Sequence, residues 1–177
     1  MRIDEFINRS IGEWKSMRTG HTLSFYQFEN IISKINVQAL RVSDPEVKIC
    51  LDIHEHSKNN LVSPFKMYWE GESDWKGNHE SALSSGSCVL VPIPSSESEG
   101  IILRSQGYME KTKALSSYKF LPDETLILVT SYSHSITEER IWFASNNVRC
   151  RSSIVKTKGS EALLQTSFAS EVRRIII

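Results

Sequence analysis

Apolar positions near the N-terminus recur at helical spacing. Ile3, Phe6, Ile7, Ile11 and Trp14 fall on one side of a 3.6-residue period, so the first dozen residues read as a helix with Asp4 as N-cap. Gly12 comes late in that pattern and is expected to end or bend it. The period then changes to two. In residues 47–56 the odd positions Val47, Ile49, Leu51 and Ile53 are apolar, and Lys48, Cys50, Asp52 and His54 between them are mostly polar. That is the pattern of a strand with one face in a core and one in water. Residues 33–42 show a weaker version, and residues 64–70 put Phe65, Met67 and Trp69 on one face. A valine-rich strand over 87–93 is expected to stop at Pro92 and Pro94. Strands over 101–105 and 107–111 follow, with Gly107 as a bend or bulge, and those over 125–132, 138–144, 148–157 and 163–175 complete the set. Residues 59–60, 74–87 and 95–100 read as exposed loops, and 81–87, with four serines, as a mobile one.

Strands about 8–12 residues apart, with no long helical segment between them, predict an all-β fold: an antiparallel meander closing into a barrel or a sandwich. A closed barrel of about eight to ten strands has room inside for one small ligand. The length, 177 residues, suits a single domain over 1–177, and 40 % hydrophobic with 24 % charged residues is ordinary for a folded chain. Twenty-one lysines and arginines balance 21 aspartates and glutamates, which argues against a nucleic-acid binder relying on bulk positive charge. A local basic patch remains open. No apolar run approaches the ~20 residues that span a bilayer, and the first ten residues lack a signal-peptide pattern. A soluble, intracellular protein is expected. Cys50, Cys88 and Cys150 are odd in number and widely spaced, so reduced thiols are expected, with no disulfide framework or zinc site.

Alternation also sorts the residues that could carry chemistry. Arg149, Arg151 and Ser153 share one strand face, and Val148, Cys150 and Ser152 the other. Glu139 lies with Ile141 and Phe143, Arg140 with Trp142, and Met67 with Trp69. If Trp69, Glu139, Arg149 and Arg151 face inward, the cavity has one aromatic and one charged wall. Two arginines and a carboxylate then suit a ligand with more than one acid group and an N–H-rich part. On the opposite reading the arginines sit on a solvated outer face, and alternation alone does not choose. Trp14 and Trp142 are expected in the core. His54 and His56 share a face, but two ligands do not make a metal site. No phosphate loop, nucleophile elbow or zinc-protease motif is present.

Four stretches carry a family resemblance: Ser10-x-Gly12-x-Trp14-x-Ser16-x-Arg18-x-x-His21; Met67-x-Trp69-Glu70-Gly71 with Trp75 following; Gly100-x-x-Leu103-Arg104-x-x-Gly107-Tyr108; and Glu139-Arg140-Ile141-Trp142-Phe143-Ala144 with Asn147-x-Arg149-x-Arg151-x-Ser153. Together, from about Phe6 to Arg173, the chain resembles the S-type phycobiliprotein lyases, the CpcS/CpeS chromophore lyase family. The resemblance implies a lipocalin-like (fatty-acid-binding-protein-like) antiparallel β-barrel of about ten strands with a short N-terminal helix. It implies a linear tetrapyrrole as bound substrate, with no prosthetic group, delivered to a cysteine of a phycobiliprotein subunit of the phycoerythrin or phycocyanin kind. Phycoerythrobilin is favoured, with phycocyanobilin the alternative. The implied ligand-handling positions are Arg18, Trp69, Trp75, Glu139, Arg149, Arg151, Ser153 and Glu171, with Glu139 and Ser153 as catalytic candidates and no metal. Cys150 points away from its neighbouring arginines, so it is not read as an attachment site. A non-catalytic bilin chaperone and a carrier of an apolar acid are the competing readings; a Cys–His or Ser–His hydrolase ranks below both. Exposed apolar strand faces leave room for a homodimer. The implied compartment is the cyanobacterial cytoplasm or the plastid stroma.

Overall fold

The structure, a computed structural model, describes residues 1–57, 60–74, 83–105, 114–160 and 162–175. Ten antiparallel strands form a closed barrel: β1 (Gly12–Thr22), β2 (Gln27–Ala39), β3 (Phe65–Ser73), β4 (Leu83–Pro94), β5 (Glu99–Arg104), β6 (Ala114–Phe120), β7 (Leu126–Ser131), β8 (Ser135–Ser145), β9 (Val148–Thr157) and β10 (Leu163–Arg173). Each strand pairs with the next, and β10 closes onto β1. Among the described strands, closure leaves no unpaired sheet edge.

The N-terminal helix α1 (Ile3–Ser10) buries Ile3, Phe6, Ile7 and Ser10, the i, i+3, i+4, i+7 stripe of an amphipathic helix. Its N-cap is Arg2, not Asp4 as the sequence suggested; the Glu5 carboxylate accepts from the Arg2 backbone N–H at 2.8 Å. Asp4 instead sits in the first turn, where the helix dipole favours a negative charge. The helix ends at Ser10, and Gly12 has φ +125°, a left-handed value open to glycine, so the chain turns there into β1. The helical pattern therefore stops earlier than expected. Trp14 belongs to a strand in which Trp14, Ser16 and Gly20 are buried between exposed neighbours.

The largest correction falls on residues 47–56, which form a helix, α2 (Pro45–Ile53), and not a strand. Val47, Cys50 and Leu51 are its buried face, whereas Ile49 and Ile53 are exposed. Val47 and Leu51 satisfy both periods, and Pro45 directly after Asp44 is the helix-start signal that settles it. Helix α2 packs outside the barrel on Val89, Val91 and Leu103. This explains why β4 is apolar on both faces, since Leu90 points inward to the cluster around α1. Pro92 does not stop β4, which runs on to Pro94. Residues 83–87, expected as mobile loop, also belong to β4, and Glu99 and Gly100 begin β5. Strand β6, whose Ser116, Tyr118 and Phe120 alternate with exposed neighbours, was not anticipated. The expected strand over 107–111 and bend at Gly107 lie outside the described residues.

Helix α1 packs with one end of the interior: Phe6 contacts Phe120 and Phe143 with ring centroids 5.7 and 5.3 Å apart. Strand directions then place the ends Thr22, Ser73, Arg104 and Ser131 together at the opposite end. No helix among the described residues is long and apolar enough to cross a membrane.

Candidate functional site

Register decides which face of each strand is inside. Buried Trp14 stands opposite Arg173, and counting in twos sets Ser16, Arg18 and Gly20 opposite Glu171, Ala169 and Ser167. On β9, Arg149, Arg151 and Ser153 face Glu171, Ala169 and Ser167. On β8, Glu139 faces Ser153. The arginine face left open by alternation is thus the interior one.

A line of alternating charges runs along this wall. Arg149 and Glu171 are only 3 % and 1 % exposed, and Arg149 Nε donates to Glu171 Oε2 at 2.5 Å. Arg151 Nη1 donates to Glu139 Oε1 at 3.1 Å, and Arg151 Nε lies 3.9 Å from Glu171 Oε1. Two cations and two carboxylates compensate one another, as buried charges must. Burial pushes the Glu171 carboxyl up, but the guanidiniums of Arg151 and Arg149 outweigh it and hold the group below its ordinary range. Burial draws Arg149 down from the usual arginine value, against the opposing pull of Glu171. Ser153 and Ser167 share a hydroxyl hydrogen bond of 2.7 Å across β9 and β10.

The deep end of the wall is sealed. The Trp14 ring has the Arg149 guanidinium carbon 4.8 Å from its centroid and that of Arg173 at 4.3 Å. Arg173 donates to the carbonyls of Arg9 and Ile11, and Trp14 Nε1 donates to the Ser10 carbonyl at 2.8 Å, so both tie the end of α1 to the barrel. Arg173 was not singled out from the sequence, although its parity with Glu171 in one strand was the available signal.

Trp69 on β3 stands opposite Gly86 and Ile35. A Cβ at Gly86 would lie 2.4 Å from Trp69 Cζ2, so the indole lies across bare backbone. At Gly71 a Cβ would meet Ser33 Oγ at 2.4 Å. Small inward residues, Ser33, Gly71 and Gly86, thus surround Trp69. The open space at these strands is lined from both faces, by Trp14, Ile35 and Trp69 and by the outward Lys15, Lys34 and Tyr68, and the charged line of β9 and β10 does not border it. Arg18, half-buried on β1, stands between Ala169 and Ile31. The structure thus brings Glu139, Arg149, Arg151, Ser153 and Glu171 together on adjacent strands and sets Arg18 and Trp69 on the same continuous wall. Trp75 lies outside the described residues.

Other expectations are corrected. Trp142 is not core: it faces outward with Arg140, half-buried against Phe168 at 6.2 Å between centroids. His54 caps the end of α2, and its Nε2 lies 2.9 Å from the Arg104 carbonyl oxygen, so it shares no strand face with His56. Among the described residues no cluster of histidine, cysteine and carboxylates could hold a metal. Cys150 lies on the outer face opposite Trp142, and Cys50 is buried in α2, where burial first and Cys88 second push its thiol up to about 12.

Fold and interior define a class: a closed up-and-down barrel with a charged, small-residue wall inside, the architecture of barrels that enclose one small molecule. Residues 2–174 match the family described as CpeS-like protein, and the chain belongs to that family. It is 46 % identical over 98 % of its length, and 99 % of the relative, to "Chromophore lyase CpcS/CpeS 3" of Trichodesmium erythraeum. It is 40 % identical to the "Putative phycoerythrobilin lyase CpeS" of Microchaete diplosiphon, covering 93 % of this chain and 74 % of that one. The solved structure of the S-type phycobiliprotein lyase CPES from Guillardia theta matches with a TM-score of 0.87 at 33 % identity, covering 100 % of this chain and 95 % of that one.

Proposed function

We propose that the protein is a bilin lyase: it binds a linear tetrapyrrole non-covalently in the barrel and attaches it through a thioether to a cysteine of a phycobiliprotein subunit. The observation that carries this is the Glu139–Arg151 pair on an inward wall of small residues, in a chain of the CpeS-like family. A bilin has two propionates, several ring N–H groups and a long conjugated face. Arginine forks match carboxylates, which fits Arg18 and Arg151 as propionate partners. The Glu139 carboxylate can accept from pyrrole N–H groups and favour the protonated chromophore. Trp69, with Trp75 beyond it in sequence, supplies ring surface for the conjugated plane. Arg149 and Glu171, sealed under Trp14, hold Arg151 from beneath, and Ser153 is placed beside Glu139 to hydrogen-bond the ligand.

The reaction adds the acceptor's S–H across the ring A ethylidene double bond. One C–S bond forms, the proton ends on the bilin, and nothing leaves. The nucleophile belongs to the partner, so this chain acts by fixing one face of the bilin and, through Glu139, by keeping it electrophilic. None of its cysteines is needed, and a Cys50, Cys88, Cys150-free variant should still transfer. The cyanobacterial relatives support the cyanobacterial cytoplasm, or the stroma of a plastid, as the compartment of the reaction. Phycoerythrobilin is the proposed substrate, given the relative named as its lyase.

The test is a visible absorption titration with phycoerythrobilin and with phycocyanobilin, followed by acid urea and then by transfer to isolated phycoerythrin and phycocyanin subunits. A red-shifted, sharpened band that acid urea releases, and faster, site-directed attachment, are expected. No spectral change with either bilin would overturn the reading. Binding without acceleration would make the protein a chaperone.

A further inference from the structure

Building on the tetrapyrrole reading, we infer that Arg104 is a carboxylate anchor for the ligand, on β5, three strands round the barrel from Glu139. Arg104 ends β5 and stands opposite Leu90, which belongs to the interior cluster, so its side chain shares the inward face. It is 6 % exposed. Its Nη1 makes one long hydrogen bond, 3.4 Å, to the Thr130 hydroxyl, which is itself engaged by Ser116 at 2.7 Å. Its Nε is buried with no hydrogen-bond partner, and no carboxylate among the described residues lies within ion-pair distance. Arg149 and Arg151 each face a glutamate; Arg104 faces none. A desolvated guanidinium is costly without an anion, and its planar fork fits a carboxylate.

Position supports the same assignment. The last backbone carbonyl of β5 is held by His54, which fixes the root of the Arg104 side chain. Thr130 stands opposite Thr137, and Glu139 is the next inward residue on β8, so Thr130 and Glu139 are diagonal neighbours at about 7–8 Å. One tetrapyrrole can therefore present N–H groups to Glu139 and a propionate to Arg104. Arg104 would then set the orientation of the ligand in the barrel by choosing which end carries the held carboxylate.

The experiment compares full-length wild type, Arg104→Gln and Arg104→Met in visible titrations with phycoerythrobilin and with its dimethyl ester, and thermal melting confirms folding. Wild type should prefer the free acid by about tenfold or more, the worth of a good charge-assisted contact. Both variants should bind the ester nearly as wild type does and lose a measurable part of that preference, the remainder belonging to the second propionate at Arg18 and Arg151. Met replaces an unpaired charge with an apolar chain of similar reach, so it keeps the test available if Gln fails to fold. Equal weakening of both ligand forms, or an unchanged acid-over-ester preference, would overturn the anchor while leaving the tetrapyrrole reading intact. Wild type that binds neither form would overturn that reading and the anchor with it.

Discussion

The barrel interior has two unlike halves. On β4 to β8 the inward residues nearest α1 are large and apolar, with Leu90, Ile102, Leu126 and Leu128 clustered with Ile3 and Phe6 of α1. Toward the other end of the same strands Arg104, Ser116, Thr130 and Glu139 are polar, and Glu139 joins the charged line of β9 and β10. From β9 through β10 and β1 to β3 small and charged residues stand inside, Ser16, Gly20, Ser33 and Gly71 beside Arg149, Arg151 and Glu171, with Trp14, Ile35 and Trp69 among them. The first half packs against itself and stabilises the fold by burying apolar surface. The second contributes little net stability, because the cost of desolvating its ions offsets their attraction. A barrel filled like the first half all round would be a solid core. On the proposed function the charged half is kept for the ligand, and burial in the apolar half with α1 offsets its cost.

This contrast can be broken from either side. The largest effect is expected from Glu171→Ala, which strands Arg149 and Arg151 without their shared carboxylate. A loss of about 3–5 kcal/mol in urea unfolding, together with loss of bilin binding, is expected. Ile7→Ala, in the apolar half, should cost about 2–5 kcal/mol. Its bound-bilin spectrum should stay as in wild type. Gly86→Ala drives a Cβ into the Trp69 indole and should cost about 1–3 kcal/mol while shifting the bound-bilin band, because the ring must move.

The pH dependence is smaller. Glu171 is held below its ordinary value of 4.5, so its stabilising contribution is complete above that value and is lost as pH falls through the lower folded value. Urea midpoints should therefore be flat from neutral pH to about 5 and fall below about 4.5, less steeply in Glu171→Gln. The smallest effect is chemical. At pH 8 iodoacetamide should label Cys150 in the native protein and spare Cys50, whose thiol stands near 12, and buried Cys88; peptide mass spectrometry reads this out.

Much of the barrel was legible because one face of most strands is wet, which leaves a clean alternation. The period-two segments around Trp69, Glu139 and Arg149 all lie in strands. Alternation failed where burial does not alternate. Residues 47–53 are apolar at every second position, yet only a helix buries Val47, Cys50 and Leu51 together against the outside of β4 and β5. Strand β1 hid behind the helical spacing of Trp14, and β6 behind the serine pair Ser116–Ser117, of which Ser116 faces inward. For the site, spacing grouped Arg149, Arg151 and Ser153 but could not say which face is inside, because that depends on pairing with β10 and β1, far away in sequence. Arg173 and Arg104 escaped for the same reason: what each meets lies elsewhere in the chain, Ile11 at 162 positions from Arg173 and Thr130 at 26 from Arg104.

The most direct test of the charged half is the absorption spectrum of phycoerythrobilin bound to Glu139→Gln, set beside wild type and Ile7→Ala. Retained binding with an altered band and slower transfer in Glu139→Gln alone is the expected result. A Glu139→Gln spectrum and transfer rate identical to wild type would contradict the account, since the wall said to act on the ligand would then leave no mark on it.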